Sequence, residues 1–162
     1  MVSRSAFHEM LYGRSMRYGK QIRTMGLWMS RSKKKSVSDK HLLKLWGEVV
    51  KLRAGNKCEY PNCHVQAKYL NPHHYYSKRN TSTRYDPKNG ICLCSYHHTL
   101  GVEAAHKDPN FKDIIITSGV RSEDWHWDIT ERKNRVVKKN DAFFKDGWKA
   151  TLEHYLEVEK NQ

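Results

Sequence analysis

The sequence predicts an α+β protein: a small strand–loop–strand–helix block, tied by metal, with helices on both sides of it. Three observations point there. Apolar residues recur at helical spacing in two separated stretches, residues 39–54 and 140–156. Between them lie two short strand-like runs bounded by turn residues. Cysteines and histidines cluster in close pairs around those two runs.

Residues 1–37 read as a basic arm. Residues 1–35 hold nine Lys/Arg against a single acid, Glu9, so this stretch carries +8 of the net +13. Arg14, Arg17, Lys20 and Arg23 recur every third residue and would line one side of a helix. The arm is equally readable as a grip on a polyanion or as a solvated tail. Arg31–Ser38 is polar and reads as a linker.

Residues 38–110 form the expected central block. Ser38 can cap a helix over residues 39–54, with Asp39 favourable in its first turn and Gly55 as its stop. Leu42, Leu45, Trp46, Val49 and Leu52 make its buried face. Tyr69–Tyr76 reads as a first strand entering a turn. Ile91–Cys94 reads as a second, introduced by Pro87 and Asn89-Gly90. A helix is expected from about Tyr96 to Ala105.

Residues 111–162 read as a helical C-terminal extension. Phe111–Thr117 is short, and its Ile114-Ile115-Ile116 run fits a strand as well as a helix. Ser122 can cap a segment bearing Trp125 and Ile129. Asn140 can cap a longer one bearing Phe144, Trp148, Leu152, Tyr155 and Leu156.

Cys58-x4-Cys63 precedes the first strand, and Cys94-x2-His97 follows the second. Two short pairs, about thirty residues apart, each supplying two ligands from one tight turn, meet the needs of a four-coordinate Zn²⁺ site. The Pro61-Asn62 turn helps Cys63 come round toward Cys58. His64 and Cys92 are neighbouring alternatives, since Cys92 shares the strand parity of Cys94. Four ligands close the site, so this Zn²⁺ would be structural, standing in for the core that a small, polar domain lacks.

A second cluster is separate from the first. His73 and His74, adjacent in an extended chain, point to opposite sides, so that one can hold a metal while the other works on water, provided the turn that follows lets both reach one phosphate. His98 follows His97, and on a helix it would point about 100° away from it, toward another site.

The block resembles the HNH nuclease family, the ββα-metal fold. The shared features are the Cys-x4-Cys pair, His73-His74, and the run Asn89-Gly90-Ile91-Cys92-Leu93-Cys94-Ser95-Tyr96-His97-His98. The family's usual ending is Cys-x2-Cys-His, and here His97 stands at the second cysteine. The intervals from His74 to Asn89 and from Asn89 to His98 are similar to those of colicin-type nucleases. The stretch from Ala105 to Pro109, with Phe111 after it, resembles small phage and prophage members. The likeness spans about fifty residues and does not include the basic arm.

The resemblance implies a catalytic set of His74, Asn89 and His98. His73 and His98 would hold the catalytic metal, His74 would deprotonate the attacking water, and Asn89 would brace the loop carrying His74. The colicin-like form carries a further histidine where this chain has Val102. That departure speaks against a tightly held transition metal and for Mg²⁺, with Mn²⁺ as the other candidate. His106 is expected either to reach a phosphate or to brace the helix end. Lys78, Arg79, Arg84 and Lys88 charge the loop between the histidines and Asn89, and Lys78, Arg79 and Arg84 are candidate DNA contacts.

Composition agrees with such a partner. A net charge of +13 on 162 residues predicts attraction to polyanions. No run approaches the length of a membrane span, and no apolar stretch with a small-residue cleavage site opens the chain. Cysteines at metal spacing fit a reducing compartment. A cytoplasmic protein is therefore expected, in the host cytoplasm if phage-encoded. The expected activity is hydrolysis of DNA phosphodiesters, as nicks or as double-strand cuts. A double-strand cut would need a homodimer or a second event, and phage genome-processing partners are compatible with the resemblance. The rival reading is a zinc-containing DNA-binding protein without catalysis. RNA is not excluded, because phosphate contacts carry no sugar identity.

Overall fold

The structure, a computed structural model, describes residues 36–65, 69–137 and 142–161. All of the described elements belong to one compact unit, Lys34–Gln162. The expectations for residues 1–35 and for an Asn140 cap lie outside the described residues.

Helix α1 spans Asp39–Arg53. Ser38 caps it by accepting a hydrogen bond from the His41 amide at 3.2 Å, as its side-chain chemistry dictates. At the other end the Gly55 amide bonds the Leu52 carbonyl and the Asn56 amide bonds that of Lys51. This closure needs a left-handed residue, and Gly55 supplies it with φ of +59°. Leu42, Trp46, Val49 and Val50 form the buried face.

Strands β1 (Leu70–His74) and β2 (Gly90–Cys94) pair antiparallel, with His73 opposite Ile91 and His74 opposite Gly90. A 3₁₀ turn at Pro87–Asn89 leads into β2, capped by Asp86. A Cβ on Gly90 would meet Val50 Cγ2 at 2.2 Å, so only glycine lets α1 lie this close to the sheet.

The helix expected over Tyr96–Ala105 is much shorter. One π-helical turn, Tyr96–Leu100, ends at Gly101, whose amide bonds the Tyr96 carbonyl at 2.8 Å. The chain then doubles back, and the Ala105 amide bonds the His97 carbonyl at 2.8 Å. Among the described residues three helices complete the unit: α2 (Phe111–Thr117), α3 (Glu123–Asn134) and α4 (Ala142–Lys160). The isoleucine run of α2 is thus helical, and Ser122 caps α3 as its sequence predicts.

The sheet divides the core. On one side Cys92 and Tyr85 pack with α1 and with Leu152 and Leu156 of α4. On the other, Ile91 and Leu93 pack with Tyr60, Tyr75, Phe111, Ile115 and Ile129. Residues after position 110 therefore share their apolar packing with the central block. The result is an α+β protein with a two-stranded sheet, helices and clustered cysteines and histidines. Among the described residues, no helix is long and apolar enough to cross a membrane.

Candidate metal centres

Cys58, Cys63, Cys94 and His97 come together, with one ligand atom of each lying within 4.8 Å of all the others. Local backbone explains the approach. Asn62 adopts φ of +53°, a conformation asparagine tolerates, and the Cys63 amide returns to the Tyr60 carbonyl at 3.1 Å. The Glu59 amide bonds the Cys92 carbonyl at 2.7 Å and the Glu59 carboxylate accepts from the Cys92 amide, also at 2.7 Å. The cysteine loop is thereby pinned to β2. Arg121 holds the other carboxylate oxygen of Glu59.

The donor spacing fits a tetrahedral zinc ion. Zn–S near 2.3 Å and Zn–N near 2.05 Å imply an S-to-N edge of about 3.6 Å. His97 Nδ1 stands 3.6 Å from Cys58 Sγ and 3.3 Å from Cys94 Sγ. Burial pushes the Cys58 thiol up to about 12. A dication among these sulfurs reverses that preference, because it stabilises the thiolate directly. Of the two alternatives, Cys92 is fully buried in the apolar core and His64 is exposed; neither joins the cluster.

The second cluster is His73, His98 and His106, again within 4.8 Å of one another. His98 Nε2 and His106 Nε2 are 3.2 Å apart. Two nitrogens on one tetrahedral zinc ion would be about 3.3 Å apart. The third imidazole comes from His106, which sequence reasoning placed near the site as a phosphate contact or brace. Its signal was Gly101, which ends the helix early. Eight residues of α-helix would have carried His106 about 12 Å beyond His98. Burial, followed by the neighbouring charges of His106 and His98, holds His73 down to about 3. It is therefore neutral at physiological pH, with a lone pair available, as ligation requires.

The π turn divides adjacent residues between the two clusters, His97 to one and His98 to the other. A run of aromatic contacts also links them. Tyr60 stacks on His97 with centroids 4.0 Å apart, Phe111 lies 6.3 Å from Tyr60, and His73 meets Phe111 at 5.5 Å.

His74 points away from His73, toward α1. Its ring stacks on Trp46 at 3.8 Å and 14°, and Trp46 is itself fixed by donating from Nε1 to the Asp86 carbonyl at 2.9 Å. His74 Nε2 lies 2.9 Å from the Arg84 carbonyl. A carbonyl only accepts, so Nε2 carries the proton and Nδ1 is left bare. Burial lowers the His74 pKa below the ordinary histidine value; the Arg84 carbonyl opposes this, and the charges of Lys78 and Arg84 add to it.

Asn89 is fully buried. Its Oδ1 accepts from the Tyr76 amide at 2.8 Å, and its Nδ2 donates to the carbonyls of Tyr76 at 2.9 Å and Thr83 at 3.1 Å. Both ends of the loop after His74 are thus tied to one side chain. Lys78 and Arg79 lie exposed on that loop. Arg84 differs: its guanidinium ion-pairs with Asp39 at 3.0 Å and is largely buried, so its observed contact is structural. Lys88 pairs with Asp128 at 2.7 Å. Trp46, Tyr60 and Phe111, read in the sequence as core or left without a role, turn out to position the histidines.

No family model, curated protein or solved structure matches this chain.

Proposed function

We propose that this chain is a metal-dependent DNA endonuclease of the HNH type. The observation that carries the reading is His74. It is held in one tautomer with a bare Nδ1, on a strand whose preceding residue belongs to an open cluster of three imidazoles. A structural histidine needs no such neighbour.

In this reading His74 takes a proton from the attacking water at Nδ1. Trp46 and the Arg84 carbonyl keep the ring from turning, and Asn89 keeps the loop that carries Arg84 in place. A divalent ion held by His73, His98 and His106 would neutralise charge on the phosphate and the leaving 3′ oxygen. The products would be 5′-phosphate and 3′-hydroxyl ends. Three nitrogen donors suit Zn²⁺ or Mn²⁺ better than Mg²⁺, which prefers oxygen. The preference for Mg²⁺ drawn from Val102 assumed two imidazoles, and His106 supplies a third. Cys58, Cys63, Cys94 and His97 would hold the structural Zn²⁺.

Supercoiled plasmid tests this directly, with Mn²⁺, Zn²⁺ and Mg²⁺ added one at a time. The wild type is expected to cut. His74→Ala should cut about 10²–10⁴-fold more slowly with unchanged metal content, the usual worth of a general base. Cleavage that survives the substitution contradicts the mechanism. A wild type that binds DNA but never cuts supports a non-catalytic zinc-containing DNA-binding protein instead.

A further inference from the structure

Beside the histidine clusters stands a pair of lysines that the proposed chemistry leaves unused. Lys112 Nζ lies 4.5 Å from the centre of the Tyr76 ring and 5.0 Å from that of Tyr75. Lys133 Nζ lies 5.0 Å from the centre of the same Tyr76 ring. The two ammonium groups are therefore less than about 10 Å apart, within one screening length at ordinary ionic strength. Lys44, Lys88, Lys145 and Lys149 each pair with a carboxylate. Among the described residues, no carboxylate pairs with Lys112 or Lys133. Ring faces attract a cation, but they use none of its N–H donors.

The Tyr76 ring that both lysines contact is fixed at several points. Tyr76 Oη bonds Thr130 Oγ1 at 2.7 Å, and the Tyr76 amide and carbonyl are both held by Asn89. Asn80 Nδ2 and Ser82 Oγ donate to the Lys133 carbonyl at 3.1 and 3.0 Å, tying the last turn of α3 to the loop after His74. Lys112 follows Phe111, whose ring packs on His73. Both lysines are thus anchored to the segments that carry His73 and His74. Two like charges held together without a counter-ion are a net cost until an anion arrives.

We propose that Lys112 and Lys133, over the Tyr76 ring, form a subsite for a DNA backbone phosphate next to the one that is cut. The inference rests on the nuclease reading for its choice of ligand. The subsite would position the duplex and read no bases, since phosphate contacts carry no sequence information.

The test is equilibrium binding of a short fluorescein-labelled DNA duplex by the full chain carrying His74→Ala, over a range of KCl concentrations. Each phosphate neutralised adds about −0.9 to the slope of log affinity against log salt. Adding Lys112→Ala and Lys133→Ala together should flatten that slope by about 0.9, the share of one phosphate. The arginine pair, Lys112→Arg with Lys133→Arg, should restore it. Lys57→Ala with Lys160→Ala makes the same change in net charge at exposed positions and should move the slope far less. Lys133→Gln alone gives an intermediate slope and guards against a folding defect in the double variant. A Lys112/Lys133 alanine pair that behaves like the Lys57/Lys160 pair overturns the subsite, whether or not the wild type cuts. A wild type that binds yet never cuts contradicts the nuclease reading alone, and the slope still decides the subsite. A wild type with no affinity for the duplex overturns both.

Discussion

The two metal-competent clusters differ in donors, in number and in closure. Cys58, Cys63, Cys94 and His97 offer three sulfurs and one nitrogen, and they complete a tetrahedron from protein alone. His73, His98 and His106 offer three nitrogens and leave a position free for a fourth partner. The first set can hold two segments of chain together; the second can hold something that is not protein. One π turn serves both, sending His97 to the closed cluster and His98 to the open one. Disturbing the closed cluster should therefore harm both, while disturbing the open one should harm only itself.

The largest effect is expected at the closed cluster. Structural zinc contributes about 10–16 kcal/mol in zinc-finger peptides, as much as the whole stability of an ordinary domain. Cys94 is almost fully buried, so Cys94→Ser should leave no cooperative thermal transition in circular dichroism and little bound zinc. A zinc-free chain that still melts cooperatively would contradict a structural role for this cluster.

A smaller effect is expected where the loop after His74 is held to the fold. Asn89→Ala leaves the Tyr76 amide, the Tyr76 carbonyl and the Thr83 carbonyl without their partner. Each such group costs about 1–3 kcal/mol when it stays dry. Partial access of water should bring the total to about 3 kcal/mol, read from denaturant unfolding, with zinc content unchanged. A stability within error of wild type would mean that the loop is held elsewhere.

The smallest effect concerns pH. Burial lowers the His74 pKa, and the proposed mechanism uses its neutral form. Activity should be full above that lowered value and fall as pH drops through it. The acid limb of kcat/KM should thus lie below the ordinary histidine value near 6.5. A dication on the adjacent imidazoles pushes in the same direction. Lys78→Met removes a charge that lowers this pKa and should move the limb slightly upward. A limb above 6.5 would contradict His74 as the base.

Local rules made much of this legible. Ser38, Gly55 and Ser122 mark helix ends by their own hydrogen-bonding and backbone preferences, and the structure uses each as its chemistry predicts. The four closed-cluster ligands follow from the spacing of two short pairs. The opposed directions of His73 and His74 follow from strand alternation. What was not legible depends on closure at a distance. His106 reaches His98 only because the π turn stops at Gly101 and the chain folds back through the Ala105–His97 bond. Periodicity carries no information about that return. Cys92 shares the parity of Cys94, yet it lies within β2 against α1, while Cys94 ends the strand where Ser95 turns helical. Arg84 is written like its neighbours in a basic loop, and only the position of Asp39 on α1 reveals its structural use.

The division of His97 and His98 between two centres is tested most directly by counting metal ions per folded chain. Native mass spectrometry on chain loaded with Zn²⁺ should give two ions for the wild type. The pair His98→Ala with His106→Ala should give one, with a thermal transition close to that of the wild type. Two ions retained in that variant, or never more than one in the wild type, would contradict the account.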